Sequence, residues 1–457
     1  MSKVHVPETP ELDAQFDAAF EQLRELIDLS EIDQFFPTRA NGIYTTSVVL
    51  WMLVYQRMGG DSSLKAAVKR LREIRPTLLP DNKRLREGEL SADSGAYAKA
   101  RKRVPLDAVK RFSEFVSNSL IDASPETFDS RRVFLLDGST ISLAPEPELQ
   151  EAFPPASNQY GEGVWPIAQI VVAHELSSGA ALPPEIGCMY GPNAVSETSL
   201  IQQHMKRMPP GSIVMADSGF GVFRVAWASR QNDHSFVLRM TKSRFRSLRK
   251  NAELIDERSG LCSWKHTWTP SAKDRRTNPD LPDDASIEVM LHSIRINDDL
   301  TLLLVTDLAA EAESLADLYD FRVHVEVDLR NLKVVLDAEN IAARSVDTML
   351  KELHSAVISY NLVSQFRRQA ASLAGVSPRR LSFKNVWRTY RISLLGSMFT
   401  DPAQWRAKYR RALAEAMQEK LPNRPNRSFK REAYGKRPKS NQFEKRTKTN
   451  DQKPPPI

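Results

Sequence analysis

The chain has 457 residues, 41% hydrophobic and 26% charged, with a net formal charge of +7. Such a composition excludes a fibrous or wholly disordered protein, and the length is that of about three domain-sized units. The longest strongly apolar run, Val48 to Val54, is far short of the ~20 residues of a membrane-crossing helix, and two cysteines, Cys188 and Cys262, exclude a disulfide framework or a Cys-rich zinc module.

No secretory leader is visible, so the expected compartment is a reducing cytoplasm and no membrane partner is expected. The basic excess is confined to one end: Arg424 to Ile457 holds 11 basic and 3 acidic residues, which leaves the first 423 residues at −1. Such a tail points to a polyanion, nucleic acid first, or simply solubilises the chain end.

In chain order, residues 1–125 read as a helical N-terminal domain. Leu12, Phe16, Phe20, Leu23, Leu26 and Ile27 recur at helical spacing. Helices are expected over 45–57, 62–72, 94–103 and 106–120. The third carries Lys99, Arg101, Lys102 and Arg103; a small basic helix either contacts DNA or presents a solvated face of a bundle.

From about 131 the texture alternates, as in an α/β domain. Strands are expected at 133–136, 167–174, 180–188, 212–216 and 235–239, with helices at 196–208 and 222–230. Lys242, Arg244, Arg246, Arg249 and Lys250 then form a dense basic run suited to tracking a DNA backbone. Strands over 261–269, 286–295 and 300–306 suggest a β-rich insertion at about 241–300. Trp264 and Trp268 are four apart on one such strand. They share a face there, as either a core pair or a platform for an extruded base. Helices fill 309–418 with a break near Pro378, and 422–457 reads as a disordered basic tail.

Two acids end expected core strands. Asp137 follows Leu135-Leu136, and Asp217 follows Val214-Met215-Ala216. Sites of α/β sheets form beyond strand carboxyl ends, and two carboxylates there suit a hard divalent cation. Each also has a plain reading, as a turn residue or a helix cap.

Further on, Tyr319, Arg322, Glu326 and Lys333 fall within an arc of about 60° on a helix turning about 100° per residue, with Arg330 beside them. Arg322 and Glu326 form an i, i+4 pair, so part of this stripe is explained by salt bridging on a solvated face. Pairing leaves Tyr319 unexplained.

The spacing Tyr-x2-Arg-x3-Glu-x6-Lys resembles the signature of the IS-four type of DDE transposase, insertion-sequence enzymes named for their Y-R-E-K motif. At about 5% per residue type, four fixed positions match by chance at about one start in 10⁵. Asp137-Gly138-Ser139-Thr140 resembles that family's first-Asp segment and Ala216-Asp217-Ser218-Gly219-Phe220 its second; the likeness spans about residues 15–375. Ser218 stands where many relatives have Arg, and Val323-His324-Val325 where Trp-x-Ile is frequent.

The resemblance implies an α/β RNase-H-like catalytic core over 126–375, interrupted by the β-rich insertion, with C-terminal helices over 376–421. It implies Asp137, Asp217 and Glu326 as catalytic residues holding two Mg²⁺ or Mn²⁺ ions, with Asp137 bridging both. Tyr319, Arg322, Lys333 and Arg330 would grip DNA phosphates. The implied partners are transposon terminal inverted repeats and target DNA, engaged by a homodimer. The competing readings are a catalytically decayed or domesticated DNA-binding relative and a plain nuclease with the same core. Nucleotide-cofactor enzymes find little support, since Gly-x-x-x-x-Gly-Lys-Ser/Thr and Gly-x-Gly-x-x-Gly motifs are lacking. His324-Val325-Glu326 matches His-x-Glu of zinc deaminases, but no Cys-x-x-Cys accompanies it.

Overall fold

A computed structural model describes residues 10–422 apart from 39–41, 75–76, 159–160, 299 and 397–400. The basic tail lies outside the described residues. Residues 1–420 form one compact unit.

Ten strands build one sheet: Val133–Ser142 (β1), Pro155–Asn158 (β2), Gly161–Glu175 (β3), Glu185–Cys188 (β4), Ile213–Ala216 (β5), Ser235–Arg239 (β6), Glu253–Arg258 (β7), Leu261–Trp268 (β8), Ile287–Arg295 (β9) and Thr301–Thr306 (β10). Their order is β2-β3-β1-β5-β6-β10-β9-β8-β7, with β4 on β3. β1 runs antiparallel to β3 from Phe134–Glu175 to Ser142–Ile167. It pairs in parallel with β5 only over Val133–Leu135, and β5 pairs in parallel with β6. From residue 136 onward β1 therefore has no neighbour on its β5 side, and this gap is where the acids gather.

The apolar run Val133-Phe134-Leu135-Leu136 is buried on both faces, as a central strand must be. Alternation along it sorts the core. Phe134 and Leu136 join Val214, Ala216, Leu329 and Leu332 in the main cluster, whereas Val133 and Leu135 join Ile213, Met215, Leu315, Leu318 and Tyr319 in a second one.

The main face is covered by the long helix Val346–Leu373, capped by Ser345, whose hydroxyl accepts from the Thr348 amide. Asn361 on this helix pairs with both backbone groups of Ala181, at 2.8 Å each. The expected N-terminal helices are present as Thr46–Met58, Leu64–Ile74, Gly95–Arg103 and Leu106–Asp122.

The strands of the β-rich stretch prolong the main sheet: β10 pairs with β6 and β9 with β10. Two expectations are corrected. The basic run at 242–250 is a helix, Lys242–Arg249, capped by Thr241. The stretch 309–333 is no single helix. It breaks into Ala312–Asp320 and Val323–Arg330, joined by i→i−3 bonds from the Phe321 and Arg322 amides, and runs into a π-turn at Asn331–Val335. Packing supplies the reason, because Leu315 and Leu318 bury on one face of the sheet and Leu329 and Leu332 on the other. A straight helix cannot pass from one face to the other.

His174, His204 and His354 are buried, and burial depresses their pKa values to about 4, about 4 and about 3. Unfolded, each takes up a proton near pH 6.5. The unfolded chain thus binds more protons below that pH, and stability falls as pH drops from about 6.5 toward 4. Asp137, raised to about 6 chiefly by burial, opposes part of this between its unfolded value and pH 6. The net expectation is a loss of about 3 kcal/mol between pH 7.5 and 5.5, read from urea-denaturation midpoints. A flat profile would contradict the neutral state of these histidines.

Candidate active site

Asp137 sits mid-strand in β1, not at a strand end, because β1 continues to Ser142 against β3. Its side chain leaves the face that carries Val133 and Leu135. Asp217 follows the last residue of β5, and its Oδ1 accepts from the Gly219 amide at 2.8 Å, closing a tight turn. Glu326 lies in the first turn of the Val323–Arg330 helix.

Arg322 brings the three together from the turn that precedes this helix. Its Nη1 donates to Glu326 Oε1 at 2.7 Å, and its Nη2 stands 3.7 Å from Asp137 Oδ2 and 3.6 Å from Asp217 Oδ2. Sharing one Nη2, the two Asp oxygens are less than about 7.5 Å apart, a span that a pair of cations 3.5–4 Å apart can bridge. The acids are arranged around the guanidinium: among the described residues no three His, Cys, Asp or Glu side chains already stand close enough to hold a metal ion. Burial raises the Asp137 carboxyl to about 6; Arg322 opposes this while Asp217 and Glu326 add to it.

The other signature residues divide. Lys333, in the π-turn, donates to Ser139 Oγ at 2.9 Å and to the Thr140 carbonyl at 3.0 Å, so it lies along the far half of β1. Tyr319 is corrected. It is buried, and its hydroxyl donates to the Ala216 carbonyl at 3.3 Å, with burial raising its pKa to about 12. It therefore props the strand end before Asp217 instead of reaching outward for a phosphate. Arg330 is exposed.

Two arginines brace this corner: Arg244, which the sequence placed only in a basic run, and Arg239, which it did not mark. Arg244, from the basic helix, donates to the Ser218 carbonyl at 2.8 Å and the Gly221 carbonyl at 3.4 Å, clasping the loop that carries Asp217. Arg239, the last residue of β6, is close enough to Tyr319 for its charge to act there. A Cβ on Gly221 would stand 2.1 Å from the Arg239 carbonyl oxygen, so only glycine lets this loop lie against β6. No short motif marks either arginine.

The two tryptophans take the core alternative, and Arg101 departs from both readings of its helix. Trp268 is buried, edge-on to Phe223, and is a core residue; Trp264 is half-buried against Phe245 with Arg249 over its ring. Arg101 is buried with its Nη2 2.6 Å from Glu352 Oε1, so it holds the fold together, while Lys99 and Lys102 on the same helix are exposed, as are Arg244 and Arg246. Lys242 is also exposed at the start of its helix.

The model of the family described as "Transposase DDE domain" matches residues 129–362. The chain belongs to the transposase DDE-domain family. It is accordingly a DNA transposase, a polynucleotidyl transferase. The matched stretch contains Asp137, Asp217 and Glu326. The solved structure of a piggyBac transposase synaptic complex with hairpin DNA is similar to this transposase at 12% identity and a TM-score of 0.40, covering 92% of this chain and 88% of that one. No curated protein matches it.

What fixes Glu326 lies on the other side of its helix. Asp328 is fully buried and 2.7 Å from Arg379 Nη1. Burial alone would raise its pKa, but Arg379, His174 and Arg367 together hold it below the ordinary range. Removing one partner of a buried pair leaves the other charge uncompensated, at a cost of about 3 kcal/mol. Arg379→Leu is therefore expected to lower the unfolding free energy by about that much, and Asp328→Asn added to it to restore part of the loss. Strict additivity in denaturation of the two single variants and the double variant would refute the coupling.

Proposed function

We propose that this transposase is of the IS-four, Y-R-E-K type, with an RNase-H-like core, and that it cuts DNA at transposon ends and joins them to target DNA. The observation that carries this reading is the meeting of Asp137, Asp217 and Glu326 around one guanidinium. Lys333 and Tyr319, at the signature spacing, flank it on either side. The strand order β4-β3-β1-β5-β6, antiparallel on one side of β1 and parallel on the other, supports the RNase-H-like assignment.

Divalent metal fits the donor set. All three candidate ligands are carboxylates, the hard oxygen donors that Mg²⁺ or Mn²⁺ prefers. Three acids against one guanidinium leave negative charge in excess; the Asp137 pKa is raised chiefly by burial, with Asp217 and Glu326 adding to it. Asp137, Asp217 and Glu326 would hold two such ions, which supply an activated water and stabilise the leaving oxygen.

The chain's own groups do the rest. The turn that Gly221, Arg244 and Tyr319 brace from three sides holds the Asp217 carboxylate near β1. Lys333 lies along β1 with its ammonium fixed on Ser139 and Thr140, a point charge at the rim for a phosphate. Arg322 offers a planar fork to the same backbone. Arg244, Arg246 and Lys242 extend the cationic surface from the Asp217 loop. Lys99 and Lys102 would serve end recognition from the N-terminal helices. Two copies would pair two DNA ends. No described helix is long and apolar enough to cross a membrane.

The direct test is DNA carrying the repeats that flank the chain's own gene, incubated with full-length protein and Mg²⁺ or Mn²⁺. Cleavage at the repeat boundary is expected, followed by strand-transfer products; Asp217→Ala should lower the rate by about 10³-fold or more while DNA binding persists. Binding without cleavage in either metal would favour the domesticated form. Cleavage without strand transfer would favour a nuclease.

A further inference from the structure

The carboxylates proposed to hold metal are already occupied by a cation of the chain itself. We infer that Arg322 is a resident counter-ion that keeps Asp137, Asp217 and Glu326 together before DNA arrives, that it must withdraw for metal to load, and that DNA phosphate draws it away. DNA binding and metal binding would then assist each other. This inference rests on the metal-triad reading above.

Four observations carry it. First, the guanidinium is central: it lies within 4 Å of all three acids, with a side chain only 15% exposed. A metal ion and a guanidinium cannot share that centre, because their like charges repel at short range. Second, its hold is uneven. Only the bond to Glu326 has hydrogen-bonding length, whereas the Asp137 and Asp217 contacts at 3.7 and 3.6 Å are attractions of charge alone.

Third, Arg322 Nε is buried without a hydrogen-bond partner. A planar donor fork left partly unmet is better satisfied by a phosphate, which accepts two parallel N–H bonds. Fourth, Arg322 lies in the turn between two helices and not within either, since the Ala312–Asp320 helix ends before it and the next begins after it. A side chain so placed can leave the acids without unwinding the helix that carries Glu326.

The two equilibria are therefore linked. In the DNA-free protein, metal must displace Arg322. In the complex, the guanidinium has a phosphate to pair with, and the acids are free. By reciprocity, any factor by which DNA tightens metal binding equals the factor by which metal tightens DNA binding. Lys333 provides the contrast. It is a nearby cation, but it is tied to Ser139 and Thr140 and not to the acids.

The test titrates Mn²⁺ into full-length protein by calorimetry, with and without a short duplex of the flanking repeat. Wild type is set beside Arg322→Gln, Lys333→Gln and Asp217→Asn. Without DNA, Arg322→Gln should bind Mn²⁺ about tenfold tighter than wild type, and Lys333→Gln should change affinity by less than about threefold. The duplex should tighten Mn²⁺ binding in wild type and have little effect in Arg322→Gln. Equal affinities for Arg322→Gln and wild type would overturn the inference, as would equal gains in Arg322→Gln and Lys333→Gln, which would show only a general effect of charge. If Asp217→Asn binds Mn²⁺ as well as wild type, with and without duplex, the metal-triad reading itself fails. Weakened binding in Asp217→Asn combined with an unchanged Arg322→Gln rejects the counter-ion role alone. Should Arg322→Gln not fold, Arg322→Met, which removes the charge but keeps an unbranched stem, takes its place and should likewise bind Mn²⁺ tighter than wild type.

Discussion

The Arg322 guanidinium touches acids from three segments that are far apart in sequence: mid-strand β1, the end of β5, and the second helix after β10, Val323–Arg330. Carboxylates at such spacing repel one another, and burial makes the charge of Asp137 dearer still. Their approach therefore depends on a cation at the centre, and the surrounding structure is arranged to deliver both. β5 stops at Ala216 while β1 runs on to Ser142, which opens the side of β1 where Asp137 stands. The Asp217 turn is clasped by Arg244 from one side and propped through Ala216 by Tyr319 from another.

Delivering Glu326 and Arg322 to the same place requires the chain to change faces. Residues 312–319 pack with the smaller core cluster and residues 329–336 with the larger. Between them the helix breaks at Phe321–Arg322, and a π-turn follows at Asn331–Val335. Irregular helical turns of this kind recur at functional positions because they re-aim side chains. The π-turn carries Lys333 to Ser139. The Asp328–Arg379 pair fixes rotation about the helix axis, so that Glu326 on the opposite side faces the acids. A hydrophobic contact at position 328 would fill the same space with less directional control, which is the use of a buried ion pair that stability alone does not explain.

Much of this was legible in the sequence. The strands around Asp137 and Asp217 are marked by continuous apolar runs, and the i, i+4 pairing of Arg322 with Glu326 is present in the structure, with Lys333 set apart on Ser139 and Thr140. The angular reasoning behind that spacing was wrong in detail, since it assumed a straight helix through 319–333. Tyr319 shares the stripe only on paper; in the fold it turns inward to Ala216. Burial of Trp268 and Arg101 depends on partners, Phe223 and Glu352, that no local pattern indicates. Arg244 was read as part of a basic run, and its place over the Ser218 carbonyl follows from β6 ending beside the Asp217 loop, a tertiary fact. Periodicity reports which face of an element is apolar; it carries no information about where a break will turn that face.

The N-terminal helices have the composition of a helical bundle, and some of their polar residues pair with the long helix Val346–Leu373. Arg57 and Arg101 both pair with Glu352 on the long helix, and Lys351 beside it donates to the Arg101 carbonyl at 3.1 Å. Arg57 Nη1 also donates to the carbonyl of Asp337 at 3.0 Å, a residue with φ of 57° just past the π-turn that holds Lys333. A buried acid shared by two arginines tolerates little displacement, because each would be left charged and unpaired. The helix that exposes Lys99 and Lys102 is thus held in register with the segment bearing Lys333.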